Sequence, residues 1–282
     1  MIWMTWIWSL LLLVLAVPVL VLAVQVLAAF LPAGARLSGQ KAPRLAVLVP
    51  AHNEAAGIVA TLQNLKQNIG AGDRILVVAD NCADDTAALA RQCGVEVVER
   101  FDEVARGKGY ALDFGLRHLS ADPPEALVIV DADCQVADDA LRRIAGEAVA
   151  RARPVQAWDQ MCAPPGAGLK LRLAAFAWLV KNLVRPRGWL ALGLPCQLMG
   201  TGMAFPWSLV SNVSLANGNI VEDMKLGIDF ALQGAAPVFY PWARVFSEFP
   251  TSDTAQQSQR KRWEHGHLSM IVSEAPPLLA HA

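Results

Sequence analysis

The sequence predicts an α/β domain with a mostly parallel central sheet flanked by helices, preceded by an N-terminal transmembrane helix. Three observations carry this. Residues 2–31 contain no charged side chain. From residue 45 onward, short apolar runs alternate with segments of helical spacing, the pattern of a parallel sheet covered on both faces. Of the 282 residues, 54% are hydrophobic and 17% charged, where a soluble domain averages about 25% charged. This composition excludes a disordered or disulfide-stapled chain. Lys+Arg number 24 against 25 Asp+Glu, a net charge of −1, so no broad positive field draws in nucleic acid.

Only Thr5, Ser9 and Gln25 interrupt the apolar run, with Pro18 near its middle. A helix needs about 20 apolar residues to cross a bilayer, so this longer run spans with tilt. Trp3, Trp6 and Trp8 crowd one end, where indoles favour the headgroup layer. A signal peptide is the competing reading, because Ala33-Gly34-Ala35 has the composition of a cleavage site. The length of the run and the lack of any basic residue before Arg36 speak against it. Arg36, Lys41 and Arg44 follow the span, which places the remainder in the cytoplasm by the positive-inside rule. Cys82, Cys93, Cys134, Cys162 and Cys196 form no CxxC pair; they fit a reducing compartment and argue against a zinc site.

The elements follow in order. Residues 45–50 read as a buried strand. Residues 54–68 read as a helix on Ile58, Leu62, Leu65 and Ile69, stopped by Gly70. A strand over 74–79, a helix over 84–93 closed by Gly94, and a strand over 95–99 come next. Gly107 and Gly109 open a helix over 108–119, and a strand over 126–130 runs into Asp131-Ala132-Asp133. Residues 155–160 form a strand. An apolar helix over 169–184, flanked by Lys170, Arg172, Lys181, Arg185 and Arg187, suits either a membrane surface or a core helix with charged ends. Gly200-Thr201-Gly202 is a small-residue turn, and Glu222-Asp223 opens a helix to about Gln233 that stops at Gly234.

Ligands of such sheets gather at the carboxyl ends of strands. Pro50, His52, Asn53 and Glu54 lie at the first such end, Asp80 at the second, and Asp131 and Asp133 after the 126–130 strand. Asp131 and Asp133 can reach one hard cation, Mg²⁺ or Mn²⁺; a solvated strand end is the plain alternative. Gly107-Lys108-Gly109 matches neither GxGxxG nor a phosphate-binding Walker loop. Gly200, Thr201 and Gly202 let a ligand approach the backbone closely, or make an ordinary bend. Acids such as Glu222 and Asp223 are favoured in a first helical turn by the dipole alone. Gln259, Arg262 and Trp263 stand in a basic stretch, where an indole can stack on a ring while cations hold phosphate.

In this order the motifs resemble the family 2 glycosyltransferases, with the GT-A nucleotide-diphospho-sugar transferase fold. The narrower likeness is to the membrane-embedded branch of cellulose, chitin, hyaluronan and poly-N-acetylglucosamine synthases, over about residues 45–269. The resemblance implies donor contacts from Pro50, His52, Asn53, Glu54, Asp80, Lys108, Asp131, Gln259, Arg262 and Trp263, the last three matching QxxRW. It implies a metal on Asp133 and Asp131, the DxD motif. Glu222-Asp223 matches the Glu-Asp of the TED motif, with Asp223 as general base. Val221 stands where many relatives have Thr, and the chain ends at Ala282 where relatives continue with membrane helices. The implied function is inverting hexosyl transfer from a nucleotide-sugar, a UDP-sugar in most of that branch, to a growing polysaccharide or a lipid. The implied setting is a bacterial inner membrane with the catalytic domain cytoplasmic, and a partner membrane subunit is a further expectation. Two alternatives stand beside it: transfer of one sugar to a lipid, as ceramide and hopanoid glycosyltransferases do, and a catalytically weak nucleotide-binding partner of a larger synthase. The expected organisation is an anchor over 1–32, a linker over 33–44, a GT-A domain over 45–270 and a tail over 271–282.

Overall fold

The computed structural model describes residues 2–32, 42–216 and 221–250, and beyond these residues 252, 257, 261, 264–266, 268–274, 276 and 278. Most of the expected linker and part of the expected tail therefore lie outside the described residues. The elements run α1 (Ile2–Ala28), β1 (Leu45–Ala51), α2 (Ile58–Gln67), β2 (Arg74–Asp80), α3 (Thr86–Gln92), β3 (Glu96–Arg100), α4 (Lys108–Leu119), β4 (Ala126–Ile129), β5 (Gln135–Val136) and α5 (Ala140–Arg151). They continue with β6 (Val155–Cys162), α6 (Leu169–Leu179), a π-turn (Val180–Val184), α7 (Arg185–Ala191), β7 (Met203–Pro206), α8 (Trp207–Val210), α9 (Glu222–Leu232) and β8 (Val238–Glu248).

The strands form one sheet in the order β3-β2-β1-β4-β7-β6-β8-β5. The expectation of a mostly parallel sheet is corrected: the sheet is mixed. β1 pairs parallel with β2 and β4, β2 with β3, and β6 with β8. β4–β7, β6–β7 and β5–β8 are antiparallel. Strand–helix alternation does produce the parallel half. Past β4 the strands alternate direction: β7 returns antiparallel between β4 and β6, and β5 closes the edge antiparallel to β8. β8 was missed because Pro241 and Arg244 interrupt its apolar pattern. The pairing with β6 jumps from Ala157↔Tyr240 to Trp158↔Arg244, and this irregularity takes up the proline.

Alternation along β1 divides the core. Leu45, Val47 and Val49 face a cluster with Ile58, Leu62, Leu65 and Ile144; Ala46 and Leu48 face Leu112, Leu116, Phe205 and Phe230 on the other side. Successive strand side chains point to opposite faces, so a strand covered on both faces is apolar throughout, as its sequence showed. Two helices start later than expected. Glu54 O accepts the Gly57 and Ile58 N–H groups in a turn before α2. Asp84 Oδ1 accepts the Thr86 N–H at 3.1 Å before α3.

α1 is exposed along most of its length and is long and apolar enough to cross a membrane by length and composition. Its last turns pack on α7. Gln25 and Ala28 are buried, and Arg185 Nε donates to Gln25 Oε1 at 2.8 Å. Gly188 permits the contact: a Cβ there would lie 2.0 Å from the Gln25 carbonyl oxygen.

Candidate active site

The C-terminal ends of β1, β2 and β4 lie side by side in the sheet. β7 runs antiparallel to β4, with Ile129 opposite Met203, so the 199–202 loop leading into β7 stands beside the end of β4.

The loop after β1 is braced against the end of β2. His52 Nδ1 donates to the Asp80 carbonyl at 2.7 Å, and Asn53 Oδ1 accepts the Ala83 N–H at 2.8 Å. Asn53 and Asn81 have φ of 57° and 50°, a left-handed conformation that Asn tolerates better than most residues. The Glu54 N–H donates to Thr86 Oγ1 at 2.8 Å. Pro50 lies in β1 opposite Val78. The buried Asp80 carboxylate is held by Arg100 Nη1 at 2.7 Å. Arg100 also donates to Asp102 Oδ2 at 3.2 Å and to the Ala105 carbonyl at 2.6 Å. Sequence reading missed Arg100, because only the parallel register sets it opposite Asp80.

Lys108, the first residue of α4, ties the centre together. Its Nζ lies 2.5 Å from Asp131 Oδ1 and 3.9 Å from Glu222 Oε1, and it donates to the Gly200 carbonyl at 2.8 Å. Gly200 has φ +90°, and a Cβ there would stand 3.5 Å from both Asp223 Oδ2 and Lys108 Nζ. Thr201 is buried, and its Oγ1 accepts the Asp131 N–H at 3.1 Å. Buried Gln156 staples the loop: Nε2 donates to the Thr201 carbonyl at 2.9 Å, and Oε1 accepts the Met199 N–H at 2.8 Å. Gly202, with φ +62°, packs where a Cβ would come within 2.7 Å of Val245 Cγ2. Glu222 and Asp223 form the first turn of α9.

Among the described residues of the site, acids outnumber cations, and burial with mutual repulsion raises several of their pKa values. Burial, reinforced by Asp133 and Asp131, pushes Glu54 up to about 7. Burial pushes Glu222 up to about 7 against the pull of Lys108, and raises Asp131 and Asp223 against the same lysine. Burial disfavours the Lys108 ammonium, but Asp131 and Glu222 outweigh it and raise its pKa. A further buried acid, Asp159 on β6, is pushed up to about 7 by burial and by Asp131. Sequence reading missed Asp159, which carries no motif.

Such crowding fits a site completed by a divalent cation. Ligand atoms of Asp131, Asp133 and Cys134 lie within 4.8 Å of one another. A hard cation takes the carboxylate oxygens. Burial, with Asp131 and Asp133, raises the Cys134 thiol well above its usual range, and Cys134 Sγ donates to Asp133 Oδ1 at 3.4 Å. Gln259, Arg262 and Trp263 lie outside the described residues.

Residues 43–266 match the family described as glycosyltransferase-like family 2. The probable glycosyltransferase YdaM of Bacillus subtilis is 23% identical over 248 residues, covering 82% of this chain and 56% of that protein; the chain thus spans little more than half of its relative. Among solved structures, the Pyrobaculum calidifontis mannosyltransferase PcManGT, with GDP-Man and Mn²⁺, superposes with a TM-score of 0.71 at 19% identity, covering 95% of this chain and 74% of that one. Glucosyl-3-phosphoglycerate synthase of Mycobacterium tuberculosis, with Mn²⁺, UDP-Glc and phosphoglyceric acid, gives 0.50 at 25% identity, covering 76% and 79%. These matches correct the narrower resemblance. The solved structures the chain superposes on are a mannosyltransferase and a glucosyl-3-phosphoglycerate synthase, rather than the cellulose, chitin, hyaluronan and poly-N-acetylglucosamine synthases of the narrower resemblance. Short motifs common to both groups could not separate them. By the match across its catalytic half and more, the chain belongs to the glycosyltransferase-like family 2.

Proposed function

We propose that the chain transfers a single sugar, with inversion, from a nucleoside-diphosphate donor to a lipid acceptor at a membrane surface, with a divalent cation at Asp133 and Asp131. The observation that carries this is that Asp131, Asp133, Lys108, Gly200, Glu222 and Asp223 come together beside the strand ends. The family, the fold and the Mn²⁺–nucleotide-sugar complexes of PcManGT and the mycobacterial synthase support it. Asp133 and Asp131 would hold the cation, which would supply positive charge against the charge developing on the departing diphosphate. Residues of the 50–54 loop and Asp80 border the donor side; donor contacts from Gln259, Arg262 and Trp263 enter this reading from the family resemblance alone. Gly200 leaves room for the acceptor hydroxyl between Lys108 and Asp223. Asp223 takes the hydroxyl proton, as a poor nucleophile requires, and Glu222 shares its electrostatic setting. The exposed apolar length of α1 supports an anchor, and Leu169, Leu173 and Phe176, exposed on α6, support contact with lipid. The domain boundaries expected from sequence belong to the same proposal.

The test is a panel of UDP- and GDP-sugars, scored by diphosphate release with total bacterial lipid extract as acceptor, and by calorimetry of UDP and GDP with Mn²⁺ or chelator. Asp133→Ala is expected to abolish the Mn²⁺-dependent part of nucleotide binding. Asp223→Asn is expected to keep that binding and lose about 10²–10⁴-fold in turnover. Equal nucleotide affinity in chelator removes the metal role, and near-normal turnover by Asp223→Asn moves the base elsewhere.

A further inference from the structure

The ends of β2 and β3 meet at an ion pair. The parallel register sets Arg100, the last residue of β3, opposite Asp80, the last residue of β2. Arg100 Nη1 donates to Asp80 Oδ1 at 2.7 Å, and the two side chains are 10% and 9% exposed. A pair so sheltered is screened by salt far less than a surface pair. Asn81 Nδ2 donates to the same oxygen at 3.1 Å. Among the described residues no donor reaches Asp80 Oδ2, so one carboxylate oxygen is pinned and the other is an open acceptor.

The rest of the guanidinium holds the chain that follows. Arg100 Nη2 donates to Asp102 Oδ2 at 3.2 Å and to the Ala105 carbonyl at 2.6 Å, and Arg100 Cζ stands 5.6 Å from the centre of the Tyr110 ring on α4. Asp102 Oδ1 accepts the Val104 and Ala105 N–H groups at 2.9 and 2.8 Å. Asn81 Oδ1 accepts the Asp102 N–H at 2.8 Å. Residues 101–107 are thus tied at one end to Asp80 through Arg100, and at the other to Asp131 through Lys108. The planar fork of an arginine makes these bonds together, which the single ammonium of a lysine does not.

We propose that Arg100 is a positioning residue for recognition of the nucleotide base: by pinning Asp80 Oδ1 it presents Oδ2 to a base that carries a ring N–H, uracil or guanine, and against cytosine or adenine. This rests on the reading of Asp80 as a donor contact. An ion-paired carboxylate only accepts hydrogen bonds. Uracil N3–H and guanine N1–H complete it. Cytosine N3 and adenine N1 are themselves acceptors and leave it unpaired, which is costly in a sheltered site. Arg100 acts through Asp80 and exchanges no proton.

The experiment is calorimetry on the full chain in detergent with Mn²⁺, using UDP, GDP, CDP, ADP and inorganic pyrophosphate as ligands. The unsubstituted chain is expected to bind UDP or GDP about tenfold or more tighter than CDP and ADP, in the range of one base-edge contact. Arg100→Met is expected to bring the four nucleotides within about threefold of one another, with pyrophosphate affinity unchanged. Arg100→Lys still pairs with Asp80 and is expected to recover most of the preference. Asp80→Asn carries the sharper sign. With Arg100 holding the amide oxygen, the NH₂ donor takes the place of Oδ2, and the preference is expected to turn toward CDP and ADP. In the Arg100→Met background the amide is free to turn, and that inversion is expected to vanish, because the two residues act as a unit. Should Arg100→Met not fold, Arg100→Gln carries the same comparison. A preference kept by Arg100→Met beside one altered by Asp80→Asn overturns the inference alone. So does an unsubstituted chain that binds all four nucleotides alike, or a loss of pyrophosphate affinity equal to the loss for UDP and GDP. Unchanged nucleotide affinity and preference in Asp80→Asn overturns the donor reading of Asp80 and this inference with it.

Discussion

One hydroxyl holds the end of β4 in place. Thr201 Oγ1 accepts the backbone N–H of Asp131, and the Thr201 carbonyl is itself held by Gln156. Thr201→Val keeps the shape and leaves that N–H without an acceptor. The expected cost is about 1–3 kcal/mol of stability, the usual penalty for a buried unpaired polar group, together with weaker Mn²⁺-dependent nucleotide binding. Denaturant unfolding and calorimetry on the same variant check both; an unchanged stability would mean that water replaces the hydroxyl. The sequence singled out residues 200–202 for their small size. It carried no sign that Thr201 turns inward to Asp131 while Gly200 faces Asp223, because that division depends on which way β7 runs. Asp131, Asp133, Lys108, Glu222 and Asp223 were legible because each stands at a strand end or a helix start. Arg100 and Asp159 were not, since each gains its meaning from a partner at least 20 residues away or on another strand.

At the scale of elements, the junction of α1 with α7 is the most exacting contact. The gap at Gly188 closes on backbone, not on a side chain that can swing away. Gly188→Leu is therefore expected to displace the end of α1 and expose Gln25, at about 1–3 kcal/mol for overpacking. Hydrogen exchange over residues 20–32 reads the displacement; unchanged protection would show that α1 has another seat. The helix expected over 169–184 is α6 followed by a π-turn and then α7. A pattern of period 3.6 does not reveal one extra residue in a turn, so apolar spacing located the helix but not the face it turns toward β6.

Across the whole molecule, buried acids set the response to pH. Burial pushes Glu54, Asp159 and Glu222 each up to about 7, well above the range of an unfolded carboxyl. Between about pH 4.5 and 7 the unfolded chain has released protons that the folded chain still holds, so stability falls as pH rises through that window. Carboxyls held low in the fold act in the other direction at more acidic pH: hydrogen bonds lower Asp84 and Asp102. In chelator, the thermal midpoint is expected to decline from pH 5 to pH 7.5. Mn²⁺ with nucleotide is expected to recover stability at the upper end, where the carboxylates are ionised. A midpoint that rises over this range in chelator would contradict the protonation assigned to these acids.

The sequence by itself determined the apolar N-terminal helix, the strand–helix alternation of the first half, the acids at the strand ends and the broad family, but not the branch within it. Each of these is local: a run, a period or a motif written in neighbouring residues. Only the tertiary structure decided that the sheet is mixed, that β8 belongs to it, and that Lys108 joins Asp131, Gly200 and Glu222. It also decided that Asn182 meets Asp159 in the interior, against β6. These facts depend on strand direction and on which buried groups find one another across long stretches of chain. Burying a charge or an N–H is costly unless a partner is present, and that partner is chosen by the fold as a whole.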